Sequence, residues 1–240
     1  MITATLFDRG YVVEGIACLL AAKARGSGHV AAACLDEEAA DRTVSAMPDA
    51  EVIRMAELED SYPLLATARS NRDWRDFVLT CKPHILSLLQ QRHGSAVLVD
   101  SDVLFCGPVN EVEKELGDKG LMAVPFGSTK IVYRFNDGVV AASDPALLAE
   151  WRRRCLERCE WAPGTSAEFH LDGLAKVADR RFNLGPWNHV TAEVTKVDGQ
   201  WMVGDGRLIC RHFYGYDGKA VTPLHQEYEE RLAEARTLAG

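Results

Sequence analysis

The stretch SAVLVDSDVLF at residues 95–105 places two carboxylates, Asp100 and Asp102, directly after an unbroken apolar run. Two carboxylates that one turn holds close together repel each other, and a bound cation removes that repulsion. Mg²⁺ and Mn²⁺ suit such a pair, because they take one or two protein carboxylates and fill the rest of their shell with water and substrate phosphates. The pattern therefore predicts a divalent-metal site for a phosphorylated small molecule such as a nucleotide. A solvated loop or a helix cap is the alternative interpretation.

The strand that carries the pair decides where its carboxylates lie. Residues 96–99 show no polar alternation, which is typical of a central strand covered on both faces. Asp100 and Asp102 then follow at its carboxyl end. In open α/β sheets, ligands bind in the crevice at that end, so the fold is expected to direct both carboxylates toward a ligand.

The flanking patterns predict an α/β fold with a mostly parallel central sheet between helices. Upstream of the acidic pair, short β-prone runs alternate with helical periodicity in a βαβαβ order, and Lys82-Pro83 is expected to open a new helix. Strands are predicted at 2–7, 29–34, 51–54, 96–99, 121–125 and 135–140, and helices at 11–25, after Asp36, at 145–161 and at 224–238. No repeat or linker interrupts the chain, which predicts one domain over residues 1–240.

The amino-acid composition limits the classes of molecule that are expected to bind the protein. The 240 residues are 47% hydrophobic and carry a net charge of −8, from 35 acidic and 27 basic side chains, without a long Lys/Arg block. Nucleic acid is therefore not expected as a partner. No signal peptide or membrane span is apparent. Seven cysteines without regular spacing predict free thiols and a cytoplasmic location.

Short motifs recur in a recognisable order along most of the chain. They are Lys82-Pro83 before an expected helix, VLVDSDVLF at 97–105, FNDGVV at 135–140, Asp172 in LDGL at 171–174 and HFYG at 212–215. This order resembles GT-A nucleotide-sugar transferases, with glycosyltransferase family 8, which includes glycogenin and bacterial lipooligosaccharide galactosyltransferases, as the nearest comparison. Segments of related bacterial transferases are similar to three further stretches: Cys81-Lys82-Pro83, Trp151 with Cys155 and Cys159, and Pro186-Trp187-Asn188.

The resemblance implies a single GT-A (Rossmann-like) domain that moves a sugar from a nucleotide diphosphate, UDP being expected, to a hydroxyl of a small-molecule or glycan acceptor. It implies Mn²⁺ or Mg²⁺ as cofactor, held by Asp100, Asp102 and His212. An imidazole beside two carboxylates favours Mn²⁺ somewhat. Taken alone, His212 also fits a core or surface histidine. The donor-binding residues that the resemblance and the strand ends indicate are Asp8, Tyr11, Lys82, Ser101, Asn136 and Lys219.

The expected catalytic residues are Asp137 and Asp172. Gly173 stands where family 8 has a glutamine, so a retaining mechanism is in question, and in an inverting enzyme Asp172 would be the base for the acceptor proton. Trp187 and Asn188 are candidates for acceptor binding, with core packing as the alternative for the tryptophan.

Two other functions fit parts of the sequence. The apolar run followed by D-x-D also matches the first motif of haloacid-dehalogenase-like phosphohydrolases, with Asp100 as the nucleophile. The missing glutamine suggests a noncatalytic nucleotide-sugar-binding protein. Zinc bound by Cys155, Cys159 and His170 is a further alternative to simple packing of the two thiols on one helix.

Overall fold

The computed structural model describes residues 1–127, 135–158, 170–188, 194–219 and 222–240. Its main sheet has seven strands in the order β3-β2-β1-β4-β7-β6-β8, and four of the six strand pairs are parallel. The prediction of a mostly parallel sheet is therefore confirmed. The twelve strands that the structure describes are β1 Ile2–Phe7, β2 Val30–Cys34, β3 Glu51–Arg54, β4 Ala96–Asp100, β5 Val103–Phe105, β6 Leu121–Pro125, β7 Phe135–Ala142, β8 Lys176–Val177, β9 Val194–Val197, β10 Gln200–Val203, β11 Gly206–Arg207 and β12 Cys210–His212.

Helices cover both faces of this sheet, and an apolar cluster lies on each side of it. The described α-helices are α1 Val12–Ala24, α2 Glu37–Ala46, α3 Met55–Ser61, α4 Leu64–Asn71, α5 Trp74–His93, α6 Asn110–Leu116, α7 Pro145–Arg158 and α8 Pro223–Ala239. Asp36 caps α2 as predicted, accepting a hydrogen bond from Ala39 N at 2.9 Å. Within the described ranges, no helix is both long and apolar enough to cross a bilayer.

The strand order creates a crevice at the carboxyl edge of the sheet. Strand β1 pairs in parallel with β2 on one side and with β4 on the other. Later strands of the chain therefore lie on both sides of β1. Such a reversal of strand order is where ligands bind in open α/β sheets. Asp8 follows β1, and Asp100 ends β4 opposite Leu6. Two of the predicted site residues therefore lie on neighbouring strand ends.

The expectation that Lys82-Pro83 opens a helix is wrong. Helix α5 already begins at Trp74, after Asp73 accepts a hydrogen bond from Asp76 N at 2.8 Å. Pro83 lies inside the helix, although an interior proline costs about 3 kcal/mol. The apolar face of α5, which buries Phe77 and Ile85 completely, offsets that cost. Lys82 consequently lies in the middle of a buried helix, with 3% of its surface exposed.

The strands predicted at 2–7, 51–54 and 121–125 have these bounds in the structure, and the other predicted ends that lie in described residues, apart from the start of α5, differ by at most two residues. The six described cysteines are buried free thiols, as predicted. Leu148, Trp151 and Cys155 are buried on one side of α7. Cys159 and the end of the helix predicted at 145–161 lie outside the described residues.

His84 gives α5 a pH-dependent contribution to stability. Burial, aided by Arg152 and Arg72, lowers the pKa of His84 to about 4, against the hydrogen bond to Thr80 O. The unfolded chain therefore binds a proton that the folded chain excludes between about pH 6.5 and pH 4. We expect the free energy of unfolding to fall by about 3 kcal/mol over this range because of His84. Urea unfolding of the wild type and of His84→Gln checks this; parallel pH profiles of the two proteins would contradict it.

Candidate metal and nucleotide site

A cavity of about 360 Å³ opens at the carboxyl edge, within the size range of small-molecule sites. It brings together nine of the thirteen residues that the sequence indicated. Asp8, Tyr11, Lys82 and Ser101 line it together with Asn136 and Asp137. The three expected metal ligands, Asp100, Asp102 and His212, complete the set.

A small two-stranded sheet brings His212 to the acidic pair. After the turn at Ser101 and Asp102, β5 pairs antiparallel with β12, which places His212 opposite Val103. His212 Nε2 lies 3.0 Å from Asp102 Oδ1 and 3.8 Å from Asp100 Oδ2. Among the described residues these three form the one group that offers three ligand atoms, all within 4.8 Å of one another. Two carboxylate oxygens and one imidazole nitrogen fit a divalent cation such as Mn²⁺.

Lys82 occupies the opposite side of the acidic pair. Its Nζ lies 2.7 Å from Asp100 Oδ1 and 3.1 Å from Asp137 Oδ2, and it donates to Asp137 O at 3.2 Å. Lys82 and Asp137 expose only 4% of their side chains. A buried lysine requires such partners, since burying its charge unpaired is costly. The lysine therefore fixes the carboxylates of Asp100 and Asp137 at the cavity wall.

The two metal-site carboxylates differ in acidity. Burial raises the pKa of Asp100, against the opposing charge of Lys82. Burial acts on Asp102 too, but the hydrogen bond and charge of His212 lower its pKa below the ordinary value. On acidification Asp100 therefore takes up a proton before Asp102 does.

This order predicts how metal binding depends on pH. A metal ligand must be deprotonated, so the affinity for Mn²⁺ is expected to fall as Asp100 takes up a proton. Because the pKa of Asp100 is raised, this fall is expected to begin at a pH above the ordinary aspartate pKa of about 3.9. Mn²⁺ titrations at decreasing pH, each with a circular dichroism spectrum to show that the protein is folded, measure this. A constant affinity down to about pH 4 would contradict it.

Gly138 lies against the imidazole of His212. In the structure, a Cβ at Gly138 would lie 2.4 Å from His212 Cε1 and 2.5 Å from Nδ1. The absence of a side chain at Gly138 therefore makes room for the ring.

Gly138→Ala is accordingly expected to displace the ring and to weaken Mn²⁺ binding by about tenfold or more, as changes around metal ligands do. Isothermal titration measures the affinity. Gly28→Ala is the matched control, because nothing lies within 4 Å of its added Cβ. Equal affinities in the two variants would show that the ring tolerates the methyl group.

The far end of the cavity is formed by the start of α1 and α5. Asp8 Oδ1 caps the short 3₁₀ turn Arg9–Tyr11 by accepting from Gly10 N, and its Oδ2 accepts from Trp74 Nε1 at 3.0 Å. Tyr11 and Trp74 expose 56% and 45% of their surface. Trp74 was missed by the sequence analysis, because only the packing of α5 beside β1 brings it to the crevice.

Four of the predicted site residues do not line this cavity. Lys219 pairs with Asp217 at 2.7 Å and borders a neighbouring cavity of about 310 Å³, which shares His212 with the first. Asp172 is exposed, and its carbonyl accepts from Arg154. Their site roles stay predictions.

Trp187 and Asn188 lie beside the Asp100–Asp102–His212 cluster, on the His212 side. The Trp187 ring meets the His212 ring edge to face, with centroids 4.9 Å apart. Asn188 bonds to the backbone at Gly185 N and Asn183 O. These contacts support the turn beside His212, and acceptor binding by either residue stays a prediction.

Comparisons with known proteins agree on the fold. No protein-family model matches the sequence. A Bacillus subtilis (strain 168) relative, "Uncharacterized protein YfnF", is 25% identical over 82% of this chain and 75% of its own length. The galactosyltransferase LgtC, solved with donor and acceptor sugar analogues, superposes with a TM-score of 0.59 at 17% identity, over 99% of this chain and 96% of its own. The glycosyltransferase GlyE of Streptococcus pneumoniae TIGR4 gives 0.61 at 12% identity, over 99% and 62%. The chain therefore has the GT-A fold of these glycosyltransferases.

Proposed function

We propose that the protein is a metal-dependent glycosyltransferase that moves a sugar from a nucleotide diphosphate, UDP being the expected one, to a hydroxyl of a small-molecule or glycan acceptor. The observation that carries the proposal is the Asp100–Asp102–His212 cluster at the switch point of a GT-A fold, inside a cavity of about 360 Å³. We also propose that residues 1–240 act as one catalytic domain.

The three clustered residues would hold Mn²⁺ or Mg²⁺. The bound ion would supply Lewis-acid neutralisation of the charge that develops on the departing diphosphate. Lys82, whose own side chain is buried, adds a fixed positive charge beside Asp100. We assign contact with the nucleotide to Asp8, Tyr11 and Ser101, which line the cavity.

We assign contact with the sugar to Asn136 and Asp137, which line the same cavity. Of the two carboxylates expected to be catalytic, Asp137 lines the cavity and is held by Lys82. A base must reach its proton within hydrogen-bond distance, directly or through one water. Asp137 is therefore the carboxylate that we assign to the reacting centre, and Asp172 would act only if an acceptor extended to it.

The test is to incubate the protein with UDP-, GDP-, ADP-, dTDP- and CDP-sugars and Mn²⁺, and to follow the release of nucleotide diphosphate by chromatography. We expect slow hydrolysis of one donor class, faster with an acceptor, and none with EDTA. Hydrolysis of simple phosphate esters without any nucleotide would instead indicate the phosphohydrolase, which the fold does not favour. Tight donor binding without turnover would indicate the noncatalytic alternative.

A further inference from the structure

The ring of His212 has a second polar contact, on the side away from the carboxylates. Its Nδ1 lies 3.2 Å from Oδ1 of Asn183, a residue with no exposed surface. Asn183 Nδ2 donates to Asn136 Oδ1 at 2.6 Å. That same oxygen accepts from Gly138 N at 2.9 Å. A backbone amide, two asparagines and the histidine therefore form one chain of hydrogen bonds.

The direction of this chain follows from its first member. The N–H of Gly138 can only donate, so the Asn136 atom that faces it is the side-chain oxygen. An oxygen at that position requires the facing atom of Asn183 to be its amide nitrogen. The other end of the Asn183 amide, toward His212, is then the oxygen. An oxygen there requires a proton on Nδ1 of the imidazole.

Packing leaves the ring little freedom to turn. Trp187 meets the imidazole at an interplanar angle of 89°, and Gly138 lies against its Cε1 and Nδ1. With the ring held in place, the position of its proton determines which nitrogen offers a lone pair. A proton fixed on Nδ1 makes Nε2, the nitrogen that faces Asp100 and Asp102, the one that can exchange its hydrogen bond to Asp102 for a metal.

We propose that Asn183 is a positioning residue for the metal site: it keeps the proton of His212 on Nδ1, so that Nε2 is available as a ligand. The inference rests on the proposed metal-dependent function. Metal-binding histidines generally donate their other N–H to such a partner, and loss of that partner typically costs 10- to 100-fold in affinity.

The test measures Mn²⁺ affinity in the absence of donor, from the loss of the electron paramagnetic resonance signal of free Mn²⁺. Asn183→Leu, which has similar size but no acceptor, is expected to bind about 10- to 100-fold more weakly than the wild type. Asn183→Asp keeps an acceptor oxygen toward Nδ1 but loses the donor to Asn136 Oδ1, and it is expected to bind more tightly than Asn183→Leu. Thr43→Val, which removes a buried hydrogen bond to Ala39 O outside the site, is the control and is expected to leave the affinity unchanged.

The variants separate a positioning role from a structural one. If Asn183 only stabilised the fold, Leu and Asp would weaken binding alike, and that result would overturn the inference. Wild-type affinity in folded Asn183→Leu would overturn it as well. Should Asn183→Leu not fold, Asn136→Leu, which frees the Asn183 amide to turn, must weaken binding for the inference to stand. If the wild type itself binds no Mn²⁺, the proposed function fails first, so the two failures are distinguishable.

Discussion

Replacing Asp102 with Asn is expected to lower the rate of sugar transfer by about a thousandfold or more while the protein stays folded. The change preserves the size of the side chain but removes one of two metal-ligand charges. Metal stabilisation of a leaving diphosphate is worth several kcal/mol, and about 4 kcal/mol corresponds to a thousandfold in rate. Steady-state release of nucleotide diphosphate measures the effect.

The matched control for this substitution is Asp205→Asn, because Asp205 is an exposed aspartate in the turn between β10 and β11. It is expected to turn over at the wild-type rate. Thermal unfolding of both variants shows whether each is folded. Wild-type turnover in folded Asp102→Asn would remove the metal assignment.

Lys82→Met is expected to separate catalysis from metal binding. Without the lysine, transfer should fall by about a hundredfold or more, because a fixed charge beside the diphosphate is lost. Metal affinity should rise, since Lys82 Nζ no longer competes for Asp100 Oδ1 at 2.7 Å. The metal-free variant should lose about 3–5 kcal/mol of stability, because Asp137 is left buried and unpaired.

Three measurements check this substitution: turnover, Mn²⁺ titration and chemical unfolding with and without Mn²⁺. Lys114→Met, which removes an exposed lysine paired with Glu111, is the control and should match the wild type in all three. Because Mn²⁺ binds the folded state, it should raise the melting temperature of Lys82→Met more than that of the wild type. Weaker Mn²⁺ binding in the variant would contradict the competition between Lys82 and the metal.

The sequence predicted the elements whose residues have one strong local preference. The apolar run before Asp100 favoured a buried strand, and the alternating strands and helices upstream favoured a mostly parallel sheet. Placing Asp100 at a ligand crevice followed from that topology. Lys82 was a predicted donor-binding residue and lines the cavity, but the start of its helix was wrong, because the buried face of α5 outweighs the local effect of Pro83.

The contacts that the sequence did not indicate are tertiary ones. Trp74 reaches Asp8 across 66 residues, and Asn183 reaches Asn136 across 47. Neither Trp74 nor Asn183 belongs to a sequence motif whose residue spacing would identify it as a site residue. The pairing of β5 with β12 brings His212 to Asp102 across a still longer stretch, and only resemblance to a family selected that histidine in advance.

The most direct test of the central claim is a thermal-shift measurement with UDP, GDP, ADP, dTDP and CDP, each with and without Mn²⁺. A ligand that binds only the folded state raises the melting temperature, by an amount that grows with its concentration relative to Kd. We predict that one diphosphate, UDP, stabilises the protein, and only when Mn²⁺ is present. A folded protein that none of the nucleotides stabilises under either condition would contradict the assignment of this cavity to a metal-bound nucleotide sugar.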